Sequence, residues 1–194
     1  LKYLSKLYLK KLMKIKKKKL TLKTKKKFKI AFLDRDGVLN SSKINKGYIG
    51  FVNDFKWIPG AKKAIKYLKK KNFKIVIVTN QSGVARGYFS LFDVYKLHRY
   101  IKLELKKFGT KVDKIAFCPF HQDGIVKKYK KKSSLRKPAI GMFLKINRIW
   151  RVDKKNSFMI GDQLTDIQFA KKANIKAYLF KETDLYKFVK KNVA

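Results

Sequence analysis

The sequence predicts an α/β domain: a single Rossmann-like, doubly wound domain with a central parallel sheet and only small loop-type caps. Short apolar runs alternate with helical patterns from Phe28 onward. Such alternation is typical of βαβ crossovers, which give parallel strands with helices on both faces. Several of the runs end directly at polar residues, as expected where the strands of such a sheet meet a ligand. The 194 residues suffice for one ordinary domain.

The elements follow one another in a regular order. Pro59 and Gly60 are predicted to open the first helix, with Pro59 in its first turn, and Gly109 is predicted to end the second helix. The predicted strands cover residues 28–33, 74–78, 112–117, 157–160 and 176–180, and the predicted helices cover 59–68, 91–108, 138–150 and 165–173.

The charge of the chain is strongly positive, with 52 basic and 12 acidic residues giving +40. Binding to nucleic acid or to an anionic membrane is one interpretation, and a coding bias toward lysine is the other. Nearly all of this charge is lysine spread along the whole chain, whereas arginine, which contacts phosphate through two nitrogens, is rare. We therefore expect no specific nucleic-acid partner. No apolar run reaches the ~20 residues of a membrane span.

Residues 1–27 are predicted to be a basic N-terminal extension, and residues 28–194 to be the catalytic domain. Apolar residues recur in the extension at helical spacing, which leaves an amphipathic helix on an anionic surface as an alternative to a solvated segment. The single cysteine, Cys118, fits a reducing compartment. Because the N-terminal lysines never give way to the apolar run of a signal peptide, we expect a cytoplasmic protein. We also expect a monomer.

Acidic residues are rare enough that their positions are informative. Four of the twelve, namely Asp34, Asp36, Asp162 and Asp166, form two short clusters behind apolar runs. Asp34 and Asp162 each follow a predicted strand directly, as does Thr79. Because the carboxyl ends of parallel strands share one edge of the sheet, these side chains are predicted to converge there.

The chemistry of phosphoryl transfer fits these residues. A carboxylate at Asp34 could attack phosphorus, and Asp36 could protonate the leaving oxygen and later activate water. Two carboxylates and a phosphate dianion need a cation between them, and Mg²⁺ prefers oxygen ligands. We therefore predict a Mg²⁺-dependent phosphatase whose metal ligands are Asp34, Asp36 and Asp162. Taken alone, the Asp-x-Asp-Gly pattern would also fit a turn or a calcium loop.

Donors for the phosphate oxygens are also present in the sequence. Thr79 and Asn80 offer a hydroxyl and an amide at the end of a strand. Lys137 is predicted at the start of a helix, where the helix terminus already favours anions. Three roles are open for Asp166: holding the metal, orienting Lys137, or capping the helix that begins beside it.

These motifs resemble those of a known superfamily. The segment 34–40, DRDGVLN, resembles the first motif of the haloacid dehalogenase superfamily of phosphatases. Thr79, Lys137, and Gly161-Asp162 with Asp166 resemble its second, third and fourth motifs. The resemblance implies that Asp34 is the nucleophile and Asp36 the acid/base. It further implies that Thr79 and Lys137 bind the phosphoryl group.

More narrowly, the segments TNQSGVARG at 79–87 and RKP at 136–138, with Gly141-Met142, are similar to the heptose 1,7-bisphosphate 7-phosphatase family. The resemblance implies a small phosphorylated sugar as substrate, with loss of its C7 phosphate during ADP-heptose and lipopolysaccharide core synthesis. Histidinol phosphate or another small phosphoester is an alternative, as is a polynucleotide end phosphatase or a basic nucleic-acid-binding module. The implied substrate-binding residues are Asn45, Lys46, Gly47, Tyr48, Asn80, Gln81, Ser82, Arg136 and Gln163.

The sequence departs from this family in the loop before residue 136. Family members commonly hold a structural zinc there, but Phe120, Ser133 and Leu135 occupy expected ligand positions. Structural zinc needs about four nitrogen or sulfur ligands, so we expect no zinc and a more mobile segment at 122–135. Cys118 is then a buried apolar side chain, and His121 a loop residue or a substrate contact. Gln163 stands where a lysine often follows the aspartate of the fourth motif, and we expect weaker substrate binding from that change.

Overall fold

The computed structural model describes residues 26–41 and 48–193. Its centre is a five-stranded parallel sheet in the order β3-β2-β1-β4-β5, so the predicted α/β fold is confirmed. The strands are β1 (Ile30–Leu33), β2 (Lys74–Asn80), β3 (Lys114–Cys118), β4 (Phe158–Gly161) and β5 (Lys176–Leu179). The helices are α1 (Ala61–Lys70), α2 (Leu91–Lys107), α3 (Gly141–Ile149), α4 (Leu164–Ala173) and α5 (Leu185–Asn192), with a 3₁₀ turn at Lys127–Tyr129.

The two faces of the sheet are covered by different helices. Ala31 and Leu33 point to a core that α1, α2 and α5 complete. Ile30 and Phe32 point to the opposite core, under α3 and α4. Successive strand residues face opposite sides, so a central strand buried on both faces must be apolar throughout. All four residues of β1 are buried accordingly.

The strand order creates a switch point beside β1. The chain runs outward from β1 to β2 and β3, then returns to the other side of β1 as β4. Leu33 pairs with Ile77 of β2 and with Ile160 of β4. The residues that follow these three strands therefore emerge side by side, at the position where open α/β sheets bind ligands.

Several predicted boundaries were wrong, among them the end of the second strand, which runs to Asn80 and so includes Thr79. The helix predicted from Pro138 begins at Gly141, because residues 133–140 form turns in which the Gly141 amide donates to the carbonyl of Ser134 at 2.8 Å. The first helix begins at Ala61 after Gly60 in a left-handed conformation, so Pro59 precedes its first turn. The third strand begins at Lys114, two residues later than predicted.

One helix was missed altogether, at Leu185–Asn192. Its start is capped by Asp184, whose side chain accepts a hydrogen bond from the Lys187 amide at 2.9 Å. Leu185, Phe188 and Val189 are buried against the core under α1. The sequence pattern that could have predicted this helix is Asp184 followed by apolar residues at helical spacing.

Two further observations concern membrane spans and the predicted N-terminal extension. No helix among the described residues is long and apolar enough to cross a membrane. The predicted extension at 1–27 falls almost entirely outside the described residues, since the description begins at residue 26.

Candidate active site

Asp34 lies directly beyond β1, at the centre of the sheet edge. Its amide donates to the carbonyl of Ile160 on β4 at 2.9 Å, which ties it to the neighbouring strand. One carboxylate oxygen, Oδ1, accepts from the Arg35 amide at 2.7 Å, and the other, Oδ2, lies 2.9 Å from Nζ of Lys137. The side chain is 10% exposed. The carboxylate is therefore fixed from two sides, but solvent still reaches it.

Lys137 is held between two carboxylates. Its Nζ lies 2.9 Å from Asp34 and 2.5 Å from Oδ1 of Asp166. The second oxygen of Asp166 accepts from the Gln163 amide at 3.1 Å in a capping box at the start of α4. Asp166 therefore combines two of its three predicted roles, since it orients Lys137 and caps a helix. The lysine itself precedes α3 by four residues, so the prediction that it stands at a helix start was wrong.

The backbone of Lys137 is anchored by Asn80. The Asn80 side chain accepts from the Lys137 amide at 2.9 Å and donates to the Lys137 carbonyl at 3.1 Å. Both polar groups of this side chain are thus engaged with the Lys137 backbone. Asn80 was predicted to contact phosphate, and in this geometry it positions the lysine instead.

Thr79 is the second-to-last residue of β2 and is 1% exposed. The oxygen Oγ1 accepts a hydrogen bond from Nε2 of Gln81 at 2.9 Å. Because a hydroxyl carries one hydrogen and two lone pairs, this leaves the Thr79 hydrogen available to donate. A hydrogen bond from Thr79 to a phosphate oxygen stays a prediction.

Asp36 lies in the turn after Asp34, and its carboxylate accepts four hydrogen bonds from the protein. Two come from the Arg35 guanidinium, at 3.0 and 2.9 Å. The others come from Asn40 at 3.0 Å and Gln81 at 2.9 Å. The side chain remains 17% exposed. Asp36 is thus firmly oriented and still reachable from the solvent.

A group of carboxylates suited to a cation lies beside Asp34. Single oxygens of Asp34, Asp162 and Asp166 all lie within 4.8 Å of one another. Oδ1 of Asp162 is buried with no hydrogen-bond partner, and a carboxylate oxygen left so is a natural ligand for a hard cation. These residues fit a divalent metal. The Asp36 carboxylate lies outside the group, so its coordination of metal stays a prediction.

Gly37 allows Asp162 to approach the turn after β1. It has φ +84°, and a Cβ at this position would lie 2.2 Å from Oδ2 of Asp162. Only glycine combines this left-handed conformation with the absence of a side chain. The same Oδ2 accepts from Nε2 of Gln163 at 2.8 Å, and the Asp162 carbonyl accepts from Lys181 at 2.8 Å.

The charges of the site shift its pKa values. Burial raises the pKa of Asp34 to about 7; Lys137 opposes this rise, while Asp166 and Asp36 add to it. Burial lowers the pKa of Lys137, but Asp34 and Asp166 outweigh that effect and raise it above its ordinary value. Burial raises the pKa of Asp162. An added cation would lower the cost of keeping these carboxylates ionised together.

The remaining predicted substrate-binding residues fall into two groups. Asn45, Lys46 and Gly47 lie outside the described residues. Tyr48 packs edge-on against Tyr88, with ring centroids 4.7 Å apart. Ser82 is 7% exposed in the loop after β2. Arg136 lies beside Lys137, with its Nη1 buried and unpartnered.

The loop that would hold zinc does not present a zinc-binding set. Cys118 is buried at the end of β3, and its thiol lies 3.7 Å from the Phe120 carbonyl. The Phe120 ring packs on Tyr129 at 6.1 Å, with the ammonium of Lys131 4.4 Å above it. Within the described part of the chain, Cys118 and His121 gain no third such ligand in this loop. The residues present therefore do not fit a structural zinc.

Arg35 and His98 are two residues that sequence reasoning missed. Arg35 is fully buried, and its Nη1 lies 3.4 Å from Nε2 of His98, which is itself 5% exposed. Burial, with the charges of Arg35 and Lys102, lowers the pKa of His98 to about 3, so a neutral imidazole faces the guanidinium. The one sequence observation that could have singled out Arg35 is the scarcity of arginine in this lysine-rich chain.

Comparison with known proteins adds to this geometry. Residues 29–190 match the family model described as polynucleotide kinase 3 phosphatase. The D-glycero-beta-D-manno-heptose-1,7-bisphosphate 7-phosphatase of Rhodopseudomonas palustris is 43% identical over 160 residues, which cover 82% of this chain and 87% of the relative. This chain belongs to the heptose bisphosphate phosphatase family of the haloacid dehalogenase superfamily. The resemblance stated from the motifs is therefore confirmed, and membership of this family makes the chain a phosphatase.

Two other members of the family extend the comparison. The D-glycero-alpha-D-manno-heptose-1,7-bisphosphate 7-phosphatase of Campylobacter jejuni is 41% identical, over 77% of this chain and 80% of the relative. The crystal structure of D,D-heptose 1,7-bisphosphate phosphatase from B. bronchiseptica, complexed with magnesium and phosphate, superposes with a TM-score of 0.71. It is 31% identical and covers 83% of this chain and 84% of that one.

Proposed function

We propose that this phosphatase removes the C7 phosphate of D-glycero-D-manno-heptose 1,7-bisphosphate, on the path to ADP-heptose and the lipopolysaccharide core. Asp34 is the nucleophile and Mg²⁺ the cofactor. The names of the relatives support the substrate, and the relative crystallised with magnesium and phosphate supports the metal. We further propose a cytoplasmic monomer, as expected from the sequence.

A cationic cavity lined in part by Lys137, the residue that contacts Asp34, is the observation that carries this proposal. It has a volume of about 360 Å³, and Lys137 and Arg136 line it together with Lys131, Lys132 and Lys172. None of its lining residues, all of them in the described part of the chain, is acidic. A monophosphate would need only the site at Lys137, whereas a bisphosphate needs a second region of positive charge within reach.

Single guanidinium nitrogens of two arginines, Arg136 in the lining of this cavity and Arg86 in contact with His121 of that lining, support the same conclusion. Arg136 Nη1 and Arg86 Nε are buried without a hydrogen-bond partner. Burial lowers the pKa of Arg136, and the neighbouring Arg86 lowers it further. Two partly buried guanidinium groups that repel each other are stabilised by an anion between them, and the second phosphate of the substrate is an anion of that kind.

In the first step, Oδ of Asp34 attacks phosphorus from the side opposite the sugar. The bond between phosphorus and the C7 oxygen breaks, and its electron pair stays on that oxygen, which takes a proton from Asp36. Lys137 and the Thr79 hydroxyl stabilise the charge on the transferring group. The products of this step are heptose 1-phosphate and a phosphorylated Asp34.

In the second step, water attacks the phosphorylated Asp34 at phosphorus. Asp36, now a carboxylate, takes a proton from the water as the new bond forms, and the Asp34 carboxylate leaves with its own oxygen. Asp34 and Asp162 would hold Mg²⁺, which when bound neutralises the carboxylates and the phosphate oxygens. Both oxygens of Asp166 are already engaged, by Lys137 and the Gln163 amide, so Asp166 acts through the lysine.

The proposal is tested by phosphate release from three substrates in the presence of Mg²⁺. We expect the highest kcat/KM for heptose 1,7-bisphosphate, a lower value for histidinol phosphate, and loss of all activity with EDTA. A kcat/KM for histidinol phosphate equal to that for the heptose would withdraw the assigned substrate. The two anomers of the heptose are compared in the same assay, because relatives named for each anomer match this chain.

A polynucleotide end phosphatase is the second candidate. The description of the matching family model favours it, as does the net charge of +40. A 3′-phosphorylated oligonucleotide is therefore the third substrate. Preference for the oligonucleotide, with an affinity that falls steeply as salt rises, would establish this candidate instead.

A further inference from the structure

Arg35 forms a buried clamp on Asp36. Its guanidinium is fully buried, and a cation in that position is tolerated only when it is paired and hydrogen-bonded. Nε and Nη2 donate to the two carboxylate oxygens of Asp36 at 3.0 and 2.9 Å, which is the bidentate geometry that fixes a carboxylate in a plane. Nη2 also contacts the carbonyl of Ile49. The clamp therefore sets the direction in which Asp36 points.

Gln81 links this clamp to Thr79. Its Oε1 accepts from Arg35 at 2.9 Å, while Nε2 donates to Asp36 at 2.9 Å and to Thr79 at 2.9 Å. One amide thus uses its oxygen and both hydrogens on three residues of the site. Gln81 is only 2% exposed. It was predicted to bind substrate, but its polar groups are fully engaged within the protein.

We infer that Arg35 and Gln81 are positioning residues that hold Asp36 where it can protonate the leaving oxygen, and so determine how well esters of weakly acidic alcohols are cleaved. This inference rests on the proposed function of Asp34 and Asp36. The C7 oxygen of a sugar leaves as an unstable alkoxide unless it gains a proton, whereas a nitrophenolate leaves readily without one. Misplacing Asp36 therefore slows cleavage of sugar phosphates far more than cleavage of p-nitrophenyl phosphate.

The test compares single-turnover release of the leaving group from an alkyl phosphate and from p-nitrophenyl phosphate. The first turnover isolates the step in which Asp36 acts as an acid. We expect Gln81→Met to slow release from the alkyl ester about 10- to 100-fold and release of nitrophenol less than about threefold. Equal slowing of both esters would overturn the inference.

Two further variants separate positioning from loss of structure. Arg35→Lys keeps the charge but not the bidentate contact with Asp36. If this variant folds, we expect the same selective slowing of release from the alkyl ester. If it does not fold, Gln81→Met alone decides the test. Phe143→Leu is the matched core control, because Phe143 is 2% exposed and packs on Phe32 in the core under α3. This control should change the rates of release from both esters by the same factor. Selective slowing of the alkyl ester in Phe143→Leu would overturn the inference.

Asp36→Asn distinguishes failure of the inference from failure of the proposed mechanism. If Asp36 is the acid, Asp36→Asn shows the selective loss on the alkyl ester. If release from the alkyl ester is selectively slowed in Asp36→Asn but not in Gln81→Met, only the positioning role of Gln81 and Arg35 is rejected. Uniform effects in Asp36→Asn reject the acid role of Asp36, and with it both the mechanism and the inference. Because both esters are model substrates, this test does not depend on which sugar phosphate is the natural substrate.

Discussion

Nζ of Lys137 lies 2.9 Å from Oδ2 of Asp34, and both side chains are at least nine-tenths buried. The strand order brings Asp34 to this point, while Asn80 and Asp166 bring Lys137 to it from the loop before α3. A carboxylate beside a fixed ammonium is suited to the proposed attack on a phosphate, because the ammonium also attracts the phosphate oxygens. The pair therefore places the proposed nucleophile next to a group that can stabilise the transferring phosphoryl group.

Replacing Asp166 with asparagine should weaken this arrangement without removing the proposed nucleophile, Asp34. The variant loses the charge that balances Lys137, and we expect kcat to fall about 10- to 100-fold and the free energy of unfolding to fall by about 1–3 kcal/mol. Urea unfolding and steady-state kinetics measure the two effects. Asp162→Asn is the control, since its Oδ1 has no protein partner. That variant should lose activity with little loss of stability, and an unchanged kcat in Asp166→Asn would contradict the role assigned to this residue.

Gly37→Ala should impair metal binding specifically. The new Cβ would collide with Asp162 at 2.2 Å, and the backbone at Gly37 has φ +84°. Gly109 provides a matched control because it has φ +70°, while its added Cβ would meet only the end of Lys66 at 3.5 Å. Both variants should lose about 1 kcal/mol of stability. Only Gly37→Ala should raise the Mg²⁺ concentration needed for activity, and equal Mg²⁺ requirements would refute the close approach of Gly37 to Asp162.

The buried neutral His98 should make the protein less stable in acid. Its pKa is about 3 when folded, against an ordinary value of 6.5. Between these values the unfolded chain binds a proton that the folded protein does not, so stability falls as pH falls, by up to about 1.4 kcal/mol per pH unit. Asp34, with its raised pKa, acts in the opposite direction over part of this range.

Subtracting the unfolding free energy of His98→Gln from that of the wild type isolates this histidine, because Asp34 contributes to both proteins. We expect the difference to decrease steadily from pH 6.5 toward pH 4. A difference that does not change with pH would mean that His98 has the same pKa in the folded and unfolded states.

The loop between β3 and α3 should be stable without zinc. Phe120 and Tyr129 pack together, and the amide of His121 donates to the Tyr129 carbonyl at 3.2 Å. We therefore predict the same melting temperature with and without a zinc chelator, provided Mg²⁺ is kept constant. Stoichiometric zinc in the purified protein would contradict this. We also predict faster hydrogen exchange in residues 122–135 than in the core strands, since no metal closes the loop.

Much of the fold could be predicted because the central strands are apolar on both faces and each ends at a polar residue. Asp34 and Asp162 follow such strands and Thr79 lies at the end region of β2, so their convergence follows from parallel pairing alone. The position of Lys137 could be predicted only roughly, because its loop is shaped by hydrogen bonds from the Asn80 side chain, which is distant in sequence. The clamp of Arg35 on Asp36 could not be predicted, since burial of a guanidinium depends on packing around it.

Trapping of the phosphorylated enzyme tests the central claim most directly. Wild-type protein is mixed with heptose 1,7-bisphosphate and Mg²⁺, quenched in acid within the first turnover, and digested for mass spectrometry. We predict one phosphoryl group on the peptide that contains Asp34, located on Asp34 by fragmentation, and none in Asp34→Asn. Release of phosphate by Asp34→Asn at the wild-type rate, or a phosphoryl group on another residue, would contradict the assignment of Asp34 as the nucleophile.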